Sequence, residues 1–171
     1  MKLVLLFILL AEQKDPLILY NLGFSYLKKG MYTEAIKYFK EAVSLKPDFF
    51  EAWRELGTAY SWKGDYKNAV NALKKARELN PKDLTTVYNL GVCYSNLSDF
   101  DNAIRCFSIV VSKEPKNASA WYNLGLMYMQ KGIKMSAINA FKKVIELEPQ
   151  NENAWYLSLI HISEPTRPRL I

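Results

Sequence analysis

The chain has 171 residues, half of them hydrophobic, so it can bury a core and is too apolar to be intrinsically disordered. Glycine and proline number seven each and aromatic residues make up 13%, which favours long regular elements over a loop-rich fold. The net charge of +6 is interleaved with acidic residues, as in KKAREL and FKKVIELE, which argues against a dedicated nucleic-acid surface.

The first predicted element is an apolar segment in residues 1–15. Its run MKLVLLFILLA is too short to span a bilayer and falls in the length range of a signal-peptide core. Two interpretations remain open. The run is either a signal peptide, with Leu9 where a small residue is preferred, or a helix packed on the element that follows it. The protein is exported in the first case and cytoplasmic in the second.

Residues 16–151 contain four blocks that align without a gap: LILYNLGFSY, EAWRELGTAY, TTVYNLGVCY and SAWYNLGLMY. Their Leu-Gly pairs begin at residues 22, 56, 90 and 124, a constant interval of 34. After each block, alanine recurs at the same interval at residues 35, 69, 103 and 137, and proline at residues 47, 81, 115 and 149. This periodicity predicts four repeats, at 16–49, 50–83, 84–117 and 118–151.

Each recurring residue has a physical task in a pair of helices. The glycine and the later alanine are small where two helices approach closely, and a bulky residue of the second helix fills the space beside them. The proline ends the second helix. Gly30, Gly64 and Gly132 suit a left-handed turn between the helices, and Ser98 takes this place in the third repeat at a cost of about 1 kcal/mol.

This pattern resembles the tetratricopeptide repeat, whose motif W-x2-L-G-x2-Y…A-x3-F…P has the same period. The resemblance covers residues 16–151. It departs from the motif at Leu19 and Val87, which replace tryptophan, and at Lys134, where the other repeats have an aromatic residue. The resemblance implies an all-α fold, a right-handed superhelical solenoid of antiparallel helix pairs.

The resemblance also implies a concave groove, lined by the first helix of each repeat, in which ligands bind. The partner-binding residues carried over are Tyr20, Asn21, Phe24, Arg54, Thr58, Trp62, Tyr88, Asn89, Val92, Tyr122, Asn123, Leu126 and Met129. Asparagine offers a donor and an acceptor to a peptide backbone, and aromatic rings offer contact area. As an alternative, the tyrosines pack between neighbouring repeats.

Catalysis is not expected, because residues 16–151 contain no histidine, and acidic residues such as Glu34, Glu41, Glu78 and Glu146 fall on second helices, where a solvated outer face is expected. Cys93 and Cys106 belong to no C-x-x-C pair, so neither a metal nor another cofactor is expected. The sequence predicts a non-catalytic scaffold that binds a peptide or protein segment in the groove. The alternatives are a structural subunit of a larger complex and, third, a nucleic-acid-associated module.

The last predicted element is the start of a fifth repeat, ENAWY at residues 152–156. The pattern then stops, and LSLIHISEPTR resembles the translation of a transposon-end sequencing adapter. We therefore expect residues 157–171 to be an artefact, His161 to belong to no natural site and the natural chain to continue its fifth repeat. The alternative is a divergent tail that caps the array.

Overall fold

The computed structural model describes the backbone of residues 15–163 and the side chains as far as Ser158. Over these residues the chain forms nine α-helices and no strand, which confirms the predicted all-α class. The helices are α1 (Pro16–Lys28), α2 (Tyr32–Leu45), α3 (Phe50–Trp62), α4 (Tyr66–Leu79), α5 (Leu84–Asn96), α6 (Phe100–Lys113), α7 (Ala118–Gln130), α8 (Lys134–Leu147) and α9 (Glu152–Ser163).

The predictions for residues 1–14 and for residues 164–171 lie outside the described part of the chain. Helix α9 runs across the boundary between the fifth repeat's opening and the predicted tail. The origin of that tail stays a prediction. None of the helices within residues 15–163 has the length and apolar character needed to cross a membrane.

The chain forms two compact units, and the boundary between them lies between Thr86 and Val87. In the first unit α1 packs on α2, α2 on α3 and α3 on α4. In the second, α6 packs on α7, α7 on α8 and α8 on α9. Each connection between consecutive helices has only three or four residues, so neighbouring helices form hairpins.

Close packing within each hairpin depends on the recurring glycine. A Cβ atom added to Gly57 would lie 2.5 Å from the Leu73 side chain, and one added to Gly125 would lie 2.7 Å from the Phe141 ring. Gly23 and Gly91 meet a phenylalanine ring in the same way. The glycine therefore admits the bulky side chain of the second helix, as the sequence predicts.

A recurring side-chain bond joins the start of one repeat to the end of the one before it. The indole N–H of Trp53 donates to the carbonyl oxygen of Pro47 at 2.9 Å. Trp121 and Trp155 make the same bond, to Pro115 and Pro149, at 2.9 Å. The proline thus ends one helix and also accepts a bond from the next repeat.

The two cysteines are buried and are not joined by a disulfide. Cys93 lies in α5 and Cys106 in α6, where the thiols occupy core positions. They serve as small apolar core residues rather than as a disulfide pair.

The turn between α5 and α6 carries a backbone strain that a single substitution should remove. Ser98 has a φ of +59°, whereas the equivalent turns place Gly30, Gly64 and Gly132 at +73°, +83° and +72°. Because a left-handed conformation is costly for a residue with a Cβ atom, Ser98→Gly should raise the free energy of unfolding by about 1 kcal/mol. Urea denaturation measures this change. An equal or lower stability than wild type would show that Ser98 is not strained.

Candidate functional site

A groove of about 330 Å³ lies in the second unit, where α5, α7 and the start of α9 meet. Three predicted partner-binding residues line it together: Tyr88, Tyr122 and Asn123. The other lining residues are Ala118, Ser119, Glu148, Asn151 and Asn153. The groove is therefore mainly polar, with two aromatic rings in its wall.

A hydrogen bond between two helices organises this groove. The amide of Asn123 donates from Nδ2 to the hydroxyl oxygen of Tyr88 at 2.8 Å. Burial raises the pKa of the Tyr88 hydroxyl above its ordinary value, and the bond from Asn123 opposes part of that rise. The hydroxyl therefore stays protonated at neutral pH and can donate a hydrogen bond of its own. The Asn123 amide retains a carbonyl acceptor and a second N–H donor.

The two tyrosine rings also contribute to packing inside their own repeats. Tyr88 meets the ring of Phe107 edge-on, with centroids 5.6 Å apart. Tyr122 meets the ring of Phe141 in the same way at 5.8 Å. Each tyrosine ring therefore packs against a buried phenylalanine of the following helix and also lines the groove. These contacts lie within one repeat, whereas the alternative considered from the sequence was packing between neighbouring repeats. The binding role of both tyrosines stays a prediction.

Sequence reasoning missed the residues that close the groove at the start of α9. The Asn151 side chain accepts a hydrogen bond from the backbone N–H of Ala154 at 3.1 Å, which caps this helix. Its Nδ2 donates to the Glu148 carboxylate at 3.0 Å. A signal was present, because Asp83, Asn117 and Asn151 recur at the repeat period immediately before a first helix. The predicted partner-binding residues all lie inside the first helices, so these positions were not among them.

In the first unit, the predicted residues Tyr20 and Phe24 belong to an aromatic cluster. Tyr20 lies 6.1 Å from Phe24, 5.9 Å from Phe39 and 5.2 Å from Phe49, measured between ring centroids. Phe49 takes the position before α3 where the four other first helices have Asp or Asn caps with side-chain bonds. Burial, and next the carboxylate of Glu55, raise the pKa of Tyr20. This cluster fills the space between α1, α2 and α3.

Arg54, also predicted for partner binding, is held by its own neighbours. Its guanidinium lies 3.1 Å from a carboxylate oxygen of Glu55 and 3.7 Å from one of Asp83. It also lies over the Phe50 ring, 5.3 Å from the centroid. The Thr58 hydroxyl donates to the Arg54 carbonyl oxygen at 3.0 Å. A ligand would have to compete with these carboxylates for Arg54.

The remaining predicted residues do not line the groove of the second unit. Trp62 ends α3, is 68% exposed and stacks on Tyr32 with ring centroids 6.5 Å apart. Asn21 is exposed on α1. Half-buried positions on α5 and α7 are taken by Asn89, Val92, Leu126 and Met129. Their binding role stays a prediction.

Comparison with sequence families gives two matches, both to models described as Tetratricopeptide repeat. One model matches residues 16–49 and 118–151, and the other matches residues 63–127. Together they span most of the chain. A comparison with curated proteins found no significant match.

Solved structures with the same fold include the MamA protein, at 26% identity and a TM-score of 0.82, covering 85% of this chain and 80% of that one. MamA from Desulfovibrio magneticus RS-1 is 25% identical with a TM-score of 0.82, covering 86% of this chain and 84% of its own. YrrB is 20% identical with a TM-score of 0.80, covering 88% of this chain and 78% of its own. These structures agree with the sequence matches and with the observed helix pairs. The chain therefore belongs to the tetratricopeptide repeat family.

Proposed function

We propose that the protein is a non-catalytic interaction scaffold that holds an extended segment of a partner protein in the groove formed by α5, α7 and the start of α9. Tetratricopeptide repeat proteins are in general interaction scaffolds rather than enzymes, so the class of function follows from the family. Beyond this class of function, we propose that the ligand binds in this groove and that it is extended.

One observation carries the proposal: Tyr88, Tyr122 and Asn123 line a single groove, and the Tyr88–Asn123 hydrogen bond sets their mutual position. An extended peptide exposes a backbone N–H and a backbone carbonyl at every residue. Asn123 can accept from the first and donate to the second, and the Tyr88 hydroxyl adds a donor. A volume of about 330 Å³ is at the small end of the range for ligand pockets, which suits a few residues of a peptide.

The polar wall at the start of α9 favours a ligand that donates hydrogen bonds. Glu148 contributes carboxylate oxygens, and Asn151 and Asn153 contribute carboxamides. A strong polyanion such as a nucleic acid would meet the negative charge of Glu148 there, which favours a peptide over a phosphate backbone. YrrB is described as a tetratricopeptide repeat protein with an unusual peptide-binding site, and its similar fold supports the same class of ligand.

The groove is tested with peptides selected from a random display library on the wild-type chain. We expect Asn123→Ala to weaken their binding about tenfold, because it removes both the peptide contacts and the bond that positions Tyr88. Titration calorimetry with synthetic peptides measures the change. Asn123→Ala is preferred to the double variant Tyr88→Ala and Tyr122→Ala, whose rings also pack on buried phenylalanines.

The matched control is Asn139→Ala, which removes the same side chain from an exposed position of α8 outside the groove lining. It should bind the selected peptides as wild type does. If every selected peptide binds Asn123→Ala with unchanged affinity while the variant melts like wild type, the groove is not the binding site.

A further inference from the structure

A second, larger groove lies in the first unit, on the side of α3 opposite to Arg54 and Thr58. It has a volume of about 570 Å³ and is bordered by α2, α3 and α4. Helix α3 contributes Trp53, Leu56 and Tyr60, which follow helical spacing and so share one face. Arg54 and Thr58 fall on the other face of the same helix. None of the predicted partner-binding residues lines this α2–α4 groove.

The floor and walls of the α2–α4 groove are apolar. Val43, Leu56 and Ala72 form its buried floor, with exposed fractions of 6%, 3% and 3%. The indole of Trp53 contributes to a wall, and its N–H is already bonded to the Pro47 carbonyl oxygen. A bulky apolar side chain can enter such a space without leaving a polar group of the floor unsatisfied. The volume lies within the usual range of ligand pockets.

The rim of this groove is basic. Lys40 on α2 and Lys75 on α4 both line it, together with the carboxamides of Asn68 and Asn71. Lys75 is paired with Glu78 at 2.9 Å, on a part of α4 where both side chains are largely exposed, so the pair is weak and a ligand carboxylate can replace Glu78. Further exposed basic residues of the same two helices are Lys37, Lys67, Lys74 and Arg77. An apolar floor below a cationic rim is complementary to an apolar side chain flanked by carboxylates.

We propose that the α2–α4 groove binds a short segment of another protein in which one or two bulky apolar residues are flanked by Asp or Glu. The apolar residue occupies the space above Leu56 and beside Trp53. The flanking carboxylates pair with Lys40 and Lys75. This interaction is independent of the groove between α5 and α7, so one scaffold has two partner surfaces of different chemistry.

Most of the groove lining is repeated in the sequence two repeats later, but two of the four rim positions differ. Residues with the same side chains stand at Val111, Ser112, Pro115, Trp121, Leu124, Tyr128, Asn139, Ala140 and Lys143. Ser108 takes the place of Lys40, and Ser136 that of Asn68. Lys40 therefore marks the first unit as the one suited to an acidic ligand, and Lys40→Ser tests its contribution directly.

The test again uses displayed random peptides, selected on the full chain in which Asn123→Ala weakens the other groove. We expect selected peptides to carry an apolar residue between acidic residues. Lys40→Glu combined with Lys75→Glu should weaken their binding at least about tenfold, and Lys40→Ser should give a smaller loss. The control is Lys67→Glu combined with Lys74→Glu, which makes the same change of net charge on residues outside the groove lining and should leave binding unchanged.

A second variant separates shape from charge. Asn71→Trp places an indole at the exposed rim, where it obstructs the groove without altering the core, and it should abolish binding of the acidic peptides. Peptides that depend on Asn123 should bind this variant as they bind wild type, so the two proposals fail separately. In a ¹⁵N spectrum the indole N–H signal of Trp53 should shift when an acidic peptide is added, while that of the exposed Trp62, which does not line the groove, should shift less.

Three results would overturn the proposal. The first is that the selection yields no peptides with an apolar residue between acidic residues, or that the selected peptides bind both Lys40→Glu with Lys75→Glu and Asn71→Trp as they bind wild type. The second is tight binding of a labelled single-stranded DNA that Lys40→Glu with Lys75→Glu abolishes, since the rim would then serve a phosphate backbone. The third is a wild-type dimer in sedimentation that Asn71→Trp dissociates, because the occupant would then be a second copy of the chain.

Discussion

Replacement of Phe107 by alanine should lower the free energy of unfolding by about 3–5 kcal/mol. The Phe107 ring is 1% exposed, lies against Gly91 of α5 and supports the ring of Tyr88 edge-on. Its removal leaves a cavity that neighbouring helices cannot fill, because the opposing residue is a glycine without a side chain. Urea denaturation followed by circular dichroism measures the loss.

Phe107→Ala should also weaken peptide binding in the groove lined by Tyr88 and Asn123. Because Tyr88 rests on Phe107, we expect Phe107→Ala to loosen the Tyr88–Asn123 bond and to weaken peptide binding even where the chain is still folded. Met135→Ala is the control, since that side chain is 68% exposed and should change stability by less than about 0.5 kcal/mol. A Phe107→Ala protein with wild-type stability would mean that this ring is not a core element.

Insertion of a side chain at Gly57 is the second large effect, and Gly57→Leu should cost about 3 kcal/mol of unfolding free energy or prevent folding. Even a single Cβ at this position would lie 2.5 Å from Leu73 Cγ and 3.3 Å from the backbone oxygen of Ala69. The backbone contact cannot be relieved by rotating a side chain, so α3 and α4 must move apart. Thermal denaturation should show a fall in Tm of roughly 10 °C.

Two comparisons test the origin of this effect. Gly57→Ala should cost less in a protein that already carries Leu73→Ala, because the smaller side chain removes the closest contact, and the coupling should exceed about 1 kcal/mol. Ala103→Leu, at a fully buried position of α6, should destabilise in the same way, whereas Lys74→Ala on the exposed face of α4 should be nearly neutral. Normal stability of Gly57→Leu would contradict the close helix contact.

The all-α class of fold and the tetratricopeptide repeat family could be predicted from the sequence. Local chemistry determines them: proline ends a helix, glycine permits the left-handed turn, and small residues recur where helices approach. The strained turn at Ser98 was also predictable, because a residue with a Cβ atom replaced glycine at one turn of four. These features depend on residues close in sequence and on a strict period, so no tertiary information was needed.

The sites depended on the tertiary structure, because they join residues from different helices. Only the structure shows that Asn123 forms a hydrogen bond with Tyr88 of the neighbouring repeat. It also shows that Tyr20 belongs to an aromatic cluster and that Arg54 pairs with carboxylates. Equivalent positions in the repeat thus have different surroundings, since Phe49 replaces a polar cap in one place only. Most of the lining of the α2–α4 groove recurs two repeats later in the sequence, but no pattern there shows that residues of three helices border one groove, because packing places those helices.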